Sequence, residues 1–163
     1  IAAGGDFTLQ SAAGPVSLKD YRGKLVLVYF GYTYCPDICP TTLVEMAAVL
    51  KLLGDNSALL QPIFITIDPE RDTGKVLKTY TEFFDSRILG LTGPPALVRR
   101  AADNFKIRYA KVIEPGAKPG NYAVDHSAGM ILLGPDGQFI KKFAFAMPVD
   151  EIAAQISAFM SAR

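Results

Sequence analysis

The feature that most constrains this chain is an abrupt change of pattern around residue 35. Lys24 to Phe30 is followed, after four residues, by Cys35-Pro36-Asp37-Ile38-Cys39-Pro40, and then by Leu43, Met46, Ala47, Leu50 and Leu53 at helical spacing. The unbroken run Leu25 to Phe30, rich in Val and Leu, reads as a strand buried on both faces, which requires other elements to cover both sides of its sheet. The later spacing reads as a helix with one apolar stripe, closed by Gly54, whose freedom at positive φ suits a helix end. A buried strand, a turn holding both cysteines, and a helix together commit the chain to an α/β fold.

The remaining segments extend that pattern. Phe7-Thr8-Leu9 and Val16-Ser17-Leu18 alternate around Ala13-Gly14-Pro15 as an N-terminal hairpin. A strand is expected at Pro62 to Ile67, then a helix with Val76, Leu77, Tyr80, Phe83 and Phe84 on one face, a short strand at Ile88 to Leu91 and a helix from about Pro95 to Phe105. Residues 106 to 127, broken by Pro115, Gly116, Pro119 and Gly120, read as a long irregular loop. Gly129 to Leu133 and Gln138 to Phe143 flank Gly134-Pro135-Asp136-Gly137, a hairpin with strong turn chemistry, and Pro148 opens a closing amphipathic helix. The expected fold is one domain over residues 1–163, a thioredoxin-like α/β sandwich with an N-terminal β-hairpin and a long loop before the C-terminal β-hairpin. With 163 residues, half of them hydrophobic, it can build one core without metals or disulfides as staples.

Charge narrows the partners. Lys and Arg number 17 against 16 Asp and Glu, and no basic run exceeds Arg99-Arg100 or Lys141-Lys142, so the clustered cationic face that nucleic acid needs is missing. Leu25 to Phe30 is far short of the roughly 20 apolar residues that cross a bilayer. A chain opening on Ile1 leaves room for an upstream signal or anchor outside this sequence, the one expected route to a membrane.

The chemistry centres on the two cysteines. Pro36 and Pro40 cannot both be the first residue of one helix, so the helix is expected to begin at Pro40 with Cys39 at or near its N-cap. Free N–H groups and the helix dipole favour a thiolate there. The spacing permits a disulfide and equally permits both thiolates to chelate one metal ion; a purely structural bridge would close too small a loop to gain much. The single histidine, His126, precedes the strand that opens the C-terminal hairpin, and in a thioredoxin-like topology that loop faces the cysteine turn. Two sulfurs and one nitrogen suit copper, with thiolates holding Cu(I) and the imidazole helping to keep Cu(II), while zinc accepts the same donors with a water in fourth place. Asp37 and Asp125 flank these residues, but adjacency in sequence does not make them ligands. Asp68-Pro69-Glu70-Arg71-Asp72-Thr73 reads by default as helix-capping chemistry. Consecutive Asp125-His126-Ser127 cannot form a hydrolase relay, and Met130 reads as core.

Three stretches give the chain a family likeness: Phe30-Gly31-Tyr32-Thr33-Tyr34-Cys35-Pro36-Asp37-Ile38-Cys39-Pro40, Ile65-Thr66-Ile67-Asp68-Pro69-Glu70-Arg71-Asp72-Thr73, and Val124-Asp125-His126-Ser127 with Gly134-Pro135-Asp136-Gly137. In order and spacing they resemble the Sco/SenC copper chaperones of cytochrome c oxidase assembly. The resemblance implies copper, as Cu(I) or Cu(II), held by Cys35, Cys39 and His126. It also implies delivery to the binuclear centre of oxidase subunit II or to another copper-delivery protein. The expected place is the periplasmic side of the inner membrane, or the mitochondrial intermembrane space in a eukaryote, with a membrane anchor outside this chain. The alternative function is thiol-disulfide reduction of the acceptor's cysteines by redox-active Cys35 and Cys39. Three residues rather than two between the cysteines, and His126-Ser127 near the place of the thioredoxin cis-proline, set the sequence apart from general disulfide exchange enzymes.

Overall fold

Every residue of strand β3 (Leu25–Gly31) is buried, and because neighbouring residues on a strand point to opposite faces, both faces of its sheet are covered. The computed structural model of the protein describes residues 7–34, 38–112, 115–116, 123–126 and 129–161. In chain order it holds β1 (Thr8–Ser11), β2 (Gly14–Ser17), β3, α1 (Ile38–Leu53), β4 (Leu60–Thr66), α2 (Gly74–Phe84), β5 (Leu89–Leu91), α3 (Pro95–Asn104), β6 (Tyr109–Val112), β7 (Ala123–His126), β8 (Met130–Leu133), β9 (Phe139–Phe143) and α4 (Val149–Ser161). This is the thioredoxin-like α/β sandwich expected from the element order.

The central sheet runs β5-β4-β3-β8-β9, with β4 parallel to both β3 and β5, and β8 antiparallel to β3 and β9. Tyr29, Phe30, Phe64 and Phe105 form its aromatic centre, Tyr29 lying 6.0 Å from Phe64 and Phe30 6.1 Å from Phe105 between ring centroids. Gly90 lets α2 come close to β5, since a Cβ there would stand 2.8 Å from the Cβ of Leu77. The N-terminal hairpin is stitched on by reciprocal bonds between the backbones of Gln10 and Thr92, 2.7 and 2.8 Å long.

Three expectations change. Helix α1 starts at Ile38, so Cys39 and Pro40 lie in its first turn and Cys39 is not the cap. Proline is tolerated there because first-turn N–H groups have no acceptor inside the helix. On α2 the buried residues are Leu77 and Thr81, backed by half-buried Tyr80 and Phe84, while Val76 and Phe83 face outward, Phe83 at 84% exposure. A stripe at i, i+3, i+4 and i+7 leaves position i+6 off the face. Finally, the segment expected to be irregular contains β6 and β7, paired antiparallel from Tyr109↔His126 to Val112↔Ala123 as a ribbon separate from the central sheet.

Candidate metal centre

The candidate site lies at one edge of the central sheet. Parallel β3 and β4 both end there, and β8 begins there, because the antiparallel register pairs Val28 with Ile131 and Val26 with Leu133. The chain leaving β3 toward the cysteines and the chain arriving at β8 from His126 therefore share that edge. Cys35, Pro36 and Asp37 lie outside the described residues; Cys39 is placed by its backbone in the first turn of α1, and His126 by its backbone at the end of β7. The sequence expectation that the cysteine turn and the loop before β8 face each other falls on residues 35–37 and 127–128, outside the described residues. Among the described residues no cluster of three or more His, Cys, Asp or Glu stands ready for a metal.

The approach to Cys35 is fixed by a buried carboxylate. Asp72, fully buried, accepts hydrogen bonds from the backbone N–H of Thr33 (3.0 Å), the Thr33 hydroxyl, and the Thr66 hydroxyl (2.7 Å). Thr66 Oγ1 also accepts from the backbone N–H of Asp68 at 3.0 Å, and the Ile67 N–H extends the sheet by donating to Gly31 O at 2.9 Å. One acid thus ties together the end of β3, the end of β4 and the start of α2. Arg71 pairs with buried Asp68 and lays its guanidinium 4.2 Å from the ring centre of Tyr34, the residue before Cys35. Capping, the default reading of this stretch, holds for Thr73, whose side chain accepts from Val76 N at 3.3 Å. It misses Asp72, whose role shows only once Thr33 and Thr66 are brought beside it.

The histidine side is held differently. Arg99 on α3 donates to the backbone carbonyl of Tyr109 at 3.0 Å and stands 3.8 Å over its ring. Tyr109 packs half-buried against the core and is the register partner of His126. Burial pushes the Tyr109 phenol up, the Arg99 guanidinium draws it back, and the Asp103 carboxylate adds to the rise. In the sequence Arg99 stands out only as half of the short pair Arg99-Arg100, which carries no sign of a contact with Tyr109. Met130 is buried at the start of β8, as expected of a core residue.

A cleft of about 410 Å³ at the opposite edge, where β3, β4 and β5 begin, is lined by Lys24, Ser57, Lys78 and Arg87 among others. It belongs to a different part of the molecule. No helix among the described residues is long and apolar enough to cross a membrane.

Comparison with known proteins places these features. The family model described as SCO1/SenC matches residues 1–161. An SCO2-like protein of Rickettsia felis is 41% identical over 144 residues, which is 88% of this chain and 70% of that protein. The mitochondrial SCO1 homolog of Mus musculus is 42% identical over 162 residues, 96% of this chain and 56% of its own length. The crystal structure of Arabidopsis thaliana ScoI with copper bound superposes with a TM-score of 0.90 at 35% identity, covering 99% of this chain and all of that one.

Proposed function

The chain belongs to the SCO1/SenC family, and on that premise we propose that it carries copper and hands it to an acceptor during cytochrome c oxidase assembly. The observation that supports the reading is the β3–β8 register: β3, which precedes α1 with Cys39, ends beside the start of β8, which follows the ribbon with His126. In this reading Cys35 and Cys39 supply two thiolates and His126 one imidazole. The thiolates favour Cu(I), the imidazole adds the donor that retains Cu(II), and Asp72 fixes the backbone from which Cys35 departs. The copper bound to the Arabidopsis relative supports the choice of metal. The acceptor proposed is the binuclear copper centre of oxidase subunit II, and the place is outside the cytoplasm, with an anchor beyond this chain; the mitochondrial mouse relative supports the eukaryotic form of that location.

The second reading uses the same sulfurs. A dithiol at Cys35 and Cys39 passes two electrons and two protons to a disulfide of the acceptor and closes its own disulfide. The position of Cys39 in the first turn of α1 favours a thiolate and so serves either reading. Exchange, however, has no use for an imidazole.

The test compares oxidase assembly in cells carrying only His126→Ala or only Cys35→Ala. Carriage requires both variants to fail, and titration of the reduced proteins should show that His126→Ala loses Cu(II) affinity more than Cu(I) affinity. Normal assembly with His126→Ala and failure with Cys35→Ala would establish thiol reduction instead.

A further inference from the structure

The proposed ligands sit on scaffolds of different kinds, and the histidine scaffold is the weaker one. β6 and β7 form a two-stranded ribbon outside the central sheet, a unit that is marginal in water without packing against something else. Among the described side chains of the ribbon, Tyr109 supplies such packing, and Arg99 holds Tyr109 at two points, its backbone carbonyl and its ring. A planar guanidinium can do both at once; an ammonium group has no plane with which to stack. Arg99 itself sits on α3, a helix seated in the core through buried Val98, Ala101 and Ala102. The load path runs from the core through α3 and Arg99 to Tyr109, and across the ribbon register to His126.

We propose that Arg99 is a positioning residue for the copper-binding histidine: its clamp on Tyr109 fixes the ribbon on which His126 rides, and so sets retention of Cu(II) without touching the metal. The inference rests on the three-donor reading and adds to it a residue more than 25 positions away in sequence. A clamp that merely stabilised the fold would weaken both oxidation states alike. One acting through the histidine weakens Cu(II) and spares Cu(I), which two thiolates can hold without the imidazole.

The experiment uses the reduced full chain in three forms, unmodified, Arg99→Gln and His126→Ala, with amide hydrogen exchange on the metal-free proteins and separate Cu(I) and Cu(II) titrations. In Arg99→Gln the amides of Tyr109, Ala110 and Val124 to His126 should exchange about fivefold faster, the factor that loss of an exposed cation–π contact corresponds to, with the solvent-exposed hydrogen bond largely replaced by water. The amides of α1 and α4 should keep their rates. Cu(II) affinity should fall by a similar factor while Cu(I) affinity holds. Unchanged ribbon exchange would overturn the anchor. Faster exchange with unchanged Cu(II) affinity, where His126→Ala does lower it, would overturn the positioning role. Unchanged Cu(II) affinity in His126→Ala would instead bring down the ligand reading, and the inference with it.

Discussion

The segment that leads into the cysteines and the ribbon that carries His126 are built in opposite ways. On the cysteine side a fully buried carboxylate gathers three donors from two strand ends, and the strands themselves lie in the middle of a five-stranded sheet. On the histidine side a two-stranded ribbon is tethered by a surface arginine and one half-buried tyrosine. Buried, water-free contacts hold geometry firmly, whereas exposed ones are screened and readily broken. On the proposed carrier reading, the rigid arm would grip copper and the yielding arm would let it go.

Asp72→Asn should break this contrast most severely. An amide in place of the carboxylate turns one oxygen acceptor into a donor facing the Thr33 and Thr66 donors, so the variant should lose about 3 kcal/mol, measured by urea unfolding. A loss comparable with that of an ordinary surface substitution would mean the cysteine side is no better anchored than the histidine side. Gly129→Ala comes next. Gly129 leads from the histidine side into β8 at φ +113°, and a Cβ there would stand 2.7 Å from the Phe143 carbonyl oxygen. The expected cost is about 2 kcal/mol, from backbone strain and crowding together.

Lys106→Gly works in the other direction. Lys106 holds φ 58° where α3 turns toward β6, a left-handed conformation that glycine adopts without penalty. The variant should gain roughly 0.5 kcal/mol or more in thermal unfolding, showing that strain is stored on the histidine side. A loss would show that Lys106 does more than turn the chain.

The smallest effect is expected far from both arms. Arg87 bonds to Asp85 with 2.8 and 3.0 Å contacts, and holds its carboxyl below the ordinary range. A depressed carboxylate stabilises the fold above its unfolded value near 4 and stops doing so as pH falls through the folded value. Asp85→Asn should therefore lower the urea midpoint slightly at pH 7 and leave it unchanged at pH 2. An equal drop at both would assign the effect to shape rather than charge.

How much of this was legible in the sequence follows from the range of each interaction. The Lys24 to Phe30 run and the Gly134 to Gly137 turn announced β3 and the last hairpin because apolar period and turn chemistry act over a few residues. β6 and β7 were missed because each is four residues long and lies next to Pro and Gly breakers, so alternation had no length in which to show. Asp72 was misread because an acid before a helix looks the same whether it caps that helix or bonds Thr33, 39 residues earlier. Phe83 was placed one step wrong around the helix, an error that moves a side chain from core to solvent.

The antiparallel pairing of β3 with β8 also sets an order in time. The cysteines are synthesised about 90 positions before the histidine, which at ordinary translation speeds is an interval of about 5 to 20 s. Throughout that interval the part of the nascent chain given by this sequence holds both cysteines and no histidine, and β8 is not yet there to dock against β3. On the proposed three-donor reading, selectivity would therefore be a property of the finished fold alone. On the same reading, a chain arrested before His126 would compete for Cu(I) through its sulfurs while lacking the proposed Cu(II) donor.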